Sequence, residues 1–437
     1  MIKKETKKKP FQLVKGMRDI LPEEQRYWDF VRQTVDNLAQ AYGFKRIDTP
    51  ILEYTDLFVR SVGQTSDIVE KEMYSFVDQG DNKLSLRPEN TAGVVRSYIE
   101  HGMLNQPQPV KLYYFGPMFR RDRPQAGRYR QHYQFGFEVI GEASAVVDAQ
   151  VILLAYKVYR SANINTTIQI NSIGCEDCRP EYLIQLKDYL KKNKGKLSEI
   201  SQVRLAKNPL RVLDSKEKED LPVITEAPQQ IDFLCEGCKN HFIQVLEFLD
   251  ELEIPYALNP TIVRGLDYYC RTTFEIWAMG DDEASRQSAL GGGGRYDGLA
   301  ELIGGPATPG IGFASGAERF IAQIKEQDFK VQEAKKPDVF LAQLGPDAKK
   351  KTLSLFEELR AAGITVAENF SKSGLKPQLE IADKLGVKFT IILGQKEMVD
   401  GTIMIRDMEN SNQEIVDSKK IVTEIQKRLA KSGVNGN

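Results

Sequence analysis

Residues 119–138 have the sequence FRRDRPQAGRYRQHYQFGFE, a dense cluster of arginines around a Pro-Gln-Ala-Gly segment. Proline and glycine at 124–127 predict a turn. The residues before it, 113–119, and after it, 133–140, are rich in aromatic and β-branched types, which favour strands. We therefore predict two antiparallel strands joined by a long basic loop.

The arginines of this loop suit two kinds of ligand. Guanidinium groups bind phosphate and carboxylate oxygens bidentately, and a dense cluster of them also attracts a nucleic-acid backbone. A solvated charged hairpin is the structural alternative. Gln134, Gly136 and Glu138 occupy alternate positions of the second strand and therefore share one face. A glutamine and a glutamate beside a glycine favour the floor of a binding pocket over a packed surface. Together with an arginine at the end of the strand, they suit a ligand that carries both an anion and a cation.

The composition indicates a soluble protein of two or three domains. The chain has 437 residues, 41% hydrophobic and 28% charged, with a formal net charge of −1, so a nucleic-acid site must be a local patch. The sequence has no apolar run long enough to span a bilayer and no signal-peptide core, so no membrane partner is expected. The odd count of five cysteines favours reduced thiols and a cytoplasmic location.

The segment FRRDRPQAGRYRQ resembles motif 2 of the class II aminoacyl-tRNA synthetases, in the form found in the histidyl-tRNA synthetases of subclass IIa. The resemblance covers residues 11–430 and implies a homodimer through its motif 1. The other segments that carry it are TPILE at 49–53 (motif 1), residues 61–78, RGLDYY at 264–269 (a family signature) and PGIGFASGAERF at 309–320 (motif 3). Motif 2 and RGLDYY are the most specific of these.

The resemblance implies an α/β protein whose α+β catalytic core is the class II synthetase antiparallel sheet with flanking helices. The expected parts are a basic tail (1–10), the catalytic core (11–329) interrupted by a helical insertion (175–258), a linker (330–337) and a C-terminal α/β anticodon-binding domain (338–437). In the last part, strand and helix patterns alternate, which predicts a largely parallel sheet. Helices are predicted at 23–42, 92–100, 145–162, 180–193 and 240–252.

The segment LSLRPENT, residues 84–91, has two interpretations that do not exclude each other. Structurally, Glu89 and Thr91 suit the capped, acidic start of the helix predicted at 92–100. The resemblance implies instead that they bind the α-ammonium group of an amino acid. A helix cap and a pocket wall can share the same residues.

The resemblance also implies the remaining site residues. The histidine pocket is expected to comprise Glu89, Asn90, Thr91, Arg120, Gln134, Glu138, Arg264, Tyr268, Tyr269 and Tyr296. The residues expected to hold ATP are Arg120, Asp122, Arg128 and Arg319, with Mg²⁺ bridging the phosphates. In the basic loop, Arg123 and Gln125 are expected to contact the first base pair of the tRNA acceptor stem.

The implied reaction needs no nucleophile from the protein. The carboxylate of L-histidine attacks the α-phosphate of ATP, and Arg120 and Arg264 are the catalytic candidates that neutralise the developing charge. A ribose hydroxyl of tRNA(His) then attacks the adenylate. Two positions depart from the family pattern: Asp122 stands where glutamate is more frequent, and His132-Tyr133 replaces an aromatic-His pair.

Two other functions are weighed against this one. A regulatory paralogue would bind histidine without charging tRNA, but such proteins lack the terminal domain and usually lose motif residues, whereas this chain keeps Arg264, Arg319 and the α/β segment. A nucleic-acid-binding module without catalysis would have no use for the carboxylates of Glu89 and Glu138 beside its phosphate contacts.

The insertion carries two Cys-x-x-Cys pairs that are far apart in the chain. Their members are Cys175, Cys178, Cys235 and Cys238. Paired cysteines of this kind build tetrahedral structural zinc sites when the fold brings them together. Four unmetallated thiols on two turns are the alternative, and neither interpretation gives the cysteines a catalytic role.

Overall fold

The computed structural model describes residues 10–64, 66–122, 129–279, 289–333 and 335–434. The chain forms two compact units that divide after residue 332. Most of the basic tail and the turn predicted at 124–127 lie outside the described residues. In the part of the chain that is described, no helix has both the length and the apolar character needed to cross a membrane.

Two sheets organise the first unit. Its strands are β1 (Lys45–Arg46), β2 (Leu52–Tyr54), β3 (Tyr74–Val77), β4 (Lys83–Leu86), β5 (Val110–Phe119), β6 (Gln131–Ile140), β7 (Thr166–Ser172), β8 (Tyr256–Leu258), β9 (Cys270–Ala278), β10 (Gly291–Arg295) and β11 (Gly310–Gly316). The large sheet has the order β1-β5-β6-β11-β10-β9-β7-β8, and the small one β2-β4-β3. Across the large sheet, each pair of neighbouring strands in the series β5-β6-β11-β10-β9-β7 is antiparallel. This confirms the predicted sheet type.

The hairpin β5–β6 is formed by the strands predicted on either side of the basic loop. Its register places Phe119 opposite Gln131 and Tyr114 opposite Gly136. Phe135 and Phe137 point into the core and are fully buried, because alternate residues of a strand face opposite sides of the sheet. Gln134, Gly136 and Glu138 therefore lie on the other side, where the candidate site is found.

Helices cover the apolar side of the large sheet. Those of the first unit are α1 (Gln25–Ala41), α2 (Thr55–Val62), α3 (Thr91–Glu100), α4 (Ala145–Arg160), α5 (Arg179–Lys192), α6 (Glu199–Lys207), α7 (Leu221–Thr225), α8 (Glu236–Glu251), α9 (Leu299–Leu302) and α10 (Ala317–Glu326). The main core joins Trp28 of α1, Ala155 of α4 and Phe320 of α10 to the buried phenylalanines of β6. With this side filled, a ligand must approach the polar side.

The helical segment between β7 and β8 packs in two ways. Helix α8 contributes Phe242, Val245 and Leu249 to the main core. The segment from α5 to α7 has a smaller core of its own, which includes Tyr182 and Leu205. The lysine-rich middle of this segment, for which no individual helix was predicted, contains α6 and α7.

The second unit is a five-stranded sheet with helices. Its strands are β12 (Val339–Gln343), β13 (Val366–Glu368), β14 (Phe389–Leu393), β15 (Thr402–Asp407) and β16 (Gln413–Asp417). Its helices are α11 (Pro346–Ala361), α12 (Leu375–Leu385), α13 (Gln395–Asp400) and α14 (Ile421–Val434). The sheet order is β13-β12-β14-β15-β16.

The prediction of a largely parallel sheet in this unit is wrong for half of its pairings. β13, β12 and β14 are parallel, but β14, β15 and β16 are antiparallel. The connection from β14 to β15 holds only the six-residue α13, which is too short for the crossover that a parallel pair requires. Strand β16 was not predicted because the apolar residues of its sequence, QEIVD, are adjacent and do not alternate with polar ones. In the fold this strand is mostly exposed.

Candidate active site

A cavity of about 640 Å³ opens on the polar side of the large sheet. The predicted site residues that line it are Glu89, Thr91, Arg120, Asp122, Gln134, Arg264, Tyr268, Tyr269 and Arg319. They come from motif 2, the segment at 84–91, the RGLDYY segment and motif 3. Segments that are far apart in sequence therefore meet around one cavity. Arg123, Gln125 and Arg128 lie outside the described residues.

Glu89 closes the start of helix α3 and also faces the cavity. Its carboxylate accepts the backbone N–H groups of Thr91 at 2.7 Å and Ala92 at 3.0 Å, as the structural interpretation expected for Glu89. The first turn itself has no acidic residue, and the Thr91 hydroxyl donates to Glu138 instead. Burial raises the pKa of Glu89, while those N–H groups and Arg120 act to lower it. Arg120 is held nearby, since its Nε donates to the carbonyl oxygen of Pro88 at 2.8 Å. A carboxylate and a guanidinium thus stand together at one end of the cavity.

Glu138 lies one layer behind the cavity wall. Its carboxylate accepts the hydroxyl of Thr91 at 2.8 Å and the hydroxyl of Tyr296 at 2.6 Å. Gly312 provides its space, because a Cβ built there would lie 1.7 Å from Glu138 Oε2. Glu138 and Tyr296, both expected to contact histidine, are absent from the residues that line the cavity. The alternation of residues in β6 correctly predicted which side of the sheet Glu138 faces, but not how deeply it is buried.

We expect Glu138 to make the free energy of unfolding fall as the pH rises from about 5 to 8. Burial raises the pKa of Glu138 from its usual 4.5 to about 8. Between these values the unfolded chain ionises while the folded carboxyl stays protonated, so rising pH favours unfolding by on the order of a few kcal/mol. Urea unfolding of the wild type and Glu138→Gln at several pH values measures this. Parallel pH profiles for the two proteins would contradict it.

Asn90 belongs to a buried network that leads away from the cavity. Its Oδ1 accepts the hydroxyl of Thr49 at 2.6 Å and Nη1 of Arg87 at 3.1 Å. Arg87 also donates to the carbonyl oxygen of Pro117 at 2.9 Å. Asn90 does not line the cavity. It joins motif 1 to the motif 2 hairpin, which local sequence could not show because Thr49 is distant in the chain.

Arg264 is a second arginine that lines the cavity. Its Nη1 donates to Glu275 Oε1 at 2.7 Å, and its guanidinium carbon lies 5.6 Å from the centre of the Tyr269 ring. A Cβ at Gly292 would lie 2.6 Å from Arg264 Nη1. The same Cβ would lie 2.7 Å from the backbone oxygen of Phe274, so the glycine at 292 leaves room for both the neighbouring strand and Arg264.

Glu275 is a site residue that the sequence analysis missed. It lines the cavity, pairs with Arg264 and accepts Trp277 Nε1–H at 3.1 Å. The available signal was the one that identified Glu138: a carboxylate within an aromatic and β-branched strand, here TTFEIWA. Such a residue needs a polar partner, because an unpaired buried charge is costly.

His132 and Glu318 complete the part of the cavity beside motif 3. Burial lowers the pKa of His132 to about 3, with Arg120 and Arg319 acting in the same direction. Burial raises the pKa of Glu318 to about 7, and its carboxylate accepts the N–H of Tyr133 at 3.0 Å. The Tyr133 side chain turns into the core against Trp28. The departure at His132-Tyr133 thus gives the cavity a neutral imidazole and the core an aromatic ring.

Residues of the helical segment form another part of the cavity wall. Arg211 donates to Asp67 Oδ2 at 2.7 Å and to the carbonyl oxygen of Gly265 at 3.1 Å. Lys207 pairs with Glu70 at 2.7 Å. These contacts hold the segment against the stretch at 61–78, to which the residues alone assign no role.

The four cysteines meet at one point, although the two pairs are distant in sequence. Cys175 Sγ lies 3.7 Å from Cys178 Sγ and 3.8 Å from Cys235 Sγ, and Cys178 Sγ lies 3.9 Å from Cys238 Sγ. Tetrahedral zinc with Zn–S bonds of about 2.3 Å implies sulfur–sulfur distances of about 3.8 Å. The thiols are free, and their arrangement fits a zinc ion.

Comparisons with known proteins agree along nearly the whole chain. A family model described as histidyl-tRNA synthetase matches residues 16–320, and one described as anticodon binding domain matches residues 338–428. A curated histidine–tRNA ligase from Dehalococcoides mccartyi is 47% identical, over 96% of this chain and 100% of the relative. The crystal structure of apo S. aureus histidyl-tRNA synthetase is 37% identical with a TM-score of 0.78, covering 95% of this chain and all of that one.

A more distant structure shares the fold. It carries the description ATP phosphoribosyltransferase regulatory subunit/histidyl-tRNA synthetase, from Bacillus halodurans, and is 21% identical with a TM-score of 0.61. It covers 88% of this chain and 99% of that one. At this identity the likeness shows the shared fold alone.

Proposed function

The chain belongs to the histidyl-tRNA synthetase family, and from this premise we propose that its cavity activates L-histidine with ATP. The activity of the chain is ATP-dependent attachment of histidine to tRNA(His). One observation supports the location most: Arg120 and Arg264, from separate motifs, line the same cavity as Glu89 and Thr91. An amino acid carries a carboxylate and an ammonium group, which match these two kinds of partner.

Histidine recognition is assigned to two layers of residues. Glu89 and Thr91 accept the α-ammonium group, while Gln134, Tyr268 and Tyr269 surround the imidazole. Glu138, Asn90 and Tyr296 act from behind, because their hydrogen bonds fix Thr91 and the start of α3. A pocket built on such polar groups rejects an apolar side chain, since its own polar atoms would be left unpaired.

The first step joins the histidine carboxylate to the α-phosphorus of ATP and releases pyrophosphate. Arg120 and Arg264 stabilise the negative charge on the α-phosphate oxygens as the new bond forms. Asp122, Arg128 and Arg319 position the nucleotide, and Mg²⁺ bridging the phosphates would neutralise further charge. The aligned reactants supply the rest of the acceleration.

The second step transfers the histidyl group from AMP to a ribose hydroxyl of tRNA(His). We assign Arg123 and Gln125 of the basic loop to the first base pair of the acceptor stem. Residues 338–437 are assigned to the anticodon, in line with the family model that matches 338–428. Residues 175–258 are assigned as the insertion that approaches the acceptor arm, and cytoplasm as the compartment, where reduced cysteines persist.

A second copy of the chain is the proposed occupant of the outer face of the small sheet. The register of β2, β4 and β3 aligns Tyr54, Leu84 and Phe76 in one row across that face. Tyr54 is 63% exposed and Phe76 47% exposed, and the row continues motif 1. An apolar face of this kind marks a protein interface. Sedimentation should therefore give twice the mass of one chain, and a monomer at micromolar concentration would contradict the dimer.

The four cysteines are assigned to a structural zinc ion. Their sulfur atoms all lie within 4.8 Å of one another, and four thiolates are a complete ligand set for zinc without an open position. Such a site stabilises the fold and leaves no place for a substrate on the metal.

The decisive experiment is ATP–pyrophosphate exchange with each amino acid in turn. We expect exchange with histidine only, followed by charging of tRNA(His). Binding of histidine without exchange would instead favour the regulatory paralogue. The match of residues 338–428 to an anticodon-binding model already argues against that paralogue, which lacks the terminal domain.

A further inference from the structure

A short path joins the cysteine cluster to the wall of the cavity. Arg179 directly follows Cys178 and is the first residue of α5. Its Nη2 donates to the carbonyl oxygen of Tyr269 at 2.7 Å. Tyr269 lines the cavity, so a single side chain separates a metal-ligand candidate from the pocket.

The backbone provides a second link beside the first. The N–H of Arg271 donates to the carbonyl oxygen of Gly174 at 2.8 Å, and that of Ile173 donates to the carbonyl oxygen of Arg271 at 2.8 Å. Gly174 has a φ of 67°, and a Cβ built on it would lie 2.5 Å from Cys178 Sγ. The first cysteine pair is therefore packed tightly against the chain that leaves Tyr269.

Tyr269 is supported on its other sides by residues of the site. Its ring lies 4.7 Å from the Tyr268 ring and 5.6 Å from the guanidinium carbon of Arg264. A Cβ at Gly294 would approach its Cδ1 to 3.0 Å. A displacement of its backbone would therefore disturb Tyr268 in the imidazole pocket and would also reach Arg264 through the Tyr269 ring.

We propose that zinc on the four cysteines fixes the start of α5 and, through Arg179, the position of Tyr269. Metal loading then sets the affinity for histidine and takes no part in the reaction. Cys178 and Cys235 stand at the N-terminal ends of α5 and α8, so one ion joins the two helices. This inference rests on the proposed function of the cavity.

The variant Arg179→Ala tests the path with all four cysteines intact. The expected result is a rise in the histidine KM and in the histidine Kd by roughly tenfold, because the charged hydrogen bond to Tyr269 is lost. The ATP KM and the zinc content should stay near wild-type values, and kcat, which can change only through the contact of Tyr269 with Arg264, should fall by less than the histidine Kd rises. Arg179 is a positioning residue, and an effect concentrated on histidine binding distinguishes that role from a general loss of structure. Lys187→Ala, an exposed change on the same helix, is the matched control.

Metal removal tests the other end of the path. The purified full-length chain should contain about one zinc per chain by elemental analysis, and cobalt in its place should show tetrahedral thiolate absorption. Chelation, or Cys238→Ser, should raise the histidine Kd as Arg179→Ala does. In the metal-free chain, adding Arg179→Ala should cause little further rise, because coupled changes are not additive.

Two results would overturn the inference: wild-type histidine affinity in Arg179→Ala, or wild-type affinity in a chain free of zinc. Histidine binding by calorimetry and zinc content are both measured without ATP. They therefore show whether zinc and Arg179 affect histidine affinity, even if the chain gives no ATP–pyrophosphate exchange. Failure of exchange with every amino acid would count against the proposed function instead.

Discussion

Replacing Arg264 by alanine is expected to slow histidine-dependent ATP–pyrophosphate exchange by about 10²–10³-fold. Arg264 lines the cavity, and its guanidinium is held in place by Glu275 at 2.7 Å. In the proposed mechanism Arg264 lies at the α-phosphate. A fixed cation there stabilises charge that appears only in the transition state, so its loss should lower kcat more than it raises KM.

Arg360→Ala is the control for this prediction. Arg360 is exposed in the second unit and pairs with Glu357 at 2.7 Å, so exchange without tRNA should be unchanged. Thermal unfolding of both variants should show that neither has lost its fold. An Arg264→Ala enzyme with near-wild-type kcat would remove Arg264 from the catalytic residues, and a rise in KM alone would assign it to ground-state binding.

Replacing Gly312 by alanine is expected to destabilise the fold by about 3 kcal/mol or more and to abolish measurable histidine binding. The added methyl group would occupy the space of the Glu138 carboxylate, 1.7 Å from its Oε2, and would also lie 2.6 Å from the backbone oxygen of Phe137. Glu138 would have to release Thr91 and Tyr296, the two hydroxyl groups that it fixes behind the pocket. Urea unfolding and histidine calorimetry measure the two effects.

Two further variants isolate this steric cause. Gly195→Ala places a methyl group where nothing lies within 4 Å, so its effect should stay within about 0.5 kcal/mol. Glu138→Ala removes the closest group but leaves the backbone oxygen of Phe137 at 2.6 Å from the added carbon, so Gly312→Ala should cost less in that background than in the wild type, without becoming neutral. An equal cost in both backgrounds would show that the carboxylate is not the group displaced.

The sequence by itself determined the elements whose signal is local. The alternation in residues 133–140 fixed which side of β6 enters the core, and Phe135 and Phe137 are indeed fully buried there. The three- and four-residue spacing of Trp28, Val31 and Val35 fixed the inner face of α1. Glu89 caps α3 as its position before the helix suggested. These patterns arise from the periods of strands and helices, which neighbouring residues alone establish.

Only the tertiary structure decided how deep each polar residue lies and what it contacts. Glu138 and Asn90 were both expected to contact histidine, yet one lies behind the wall and the other joins Thr49 and Arg87. Glu275 became the partner of Arg264. The direct ligand contacts assigned to individual residues remain predictions.

The same distinction holds for the cysteines and for the second unit. Sequence spacing could not show that the two cysteine pairs converge to 3.8 Å between Cys175 and Cys235, nor that β15 turns back antiparallel to β14. Both depend on contacts between residues distant in the chain or on the geometry of a connection. Local periodicity carries no information about such contacts, because the same helix or strand pattern is compatible with many packings.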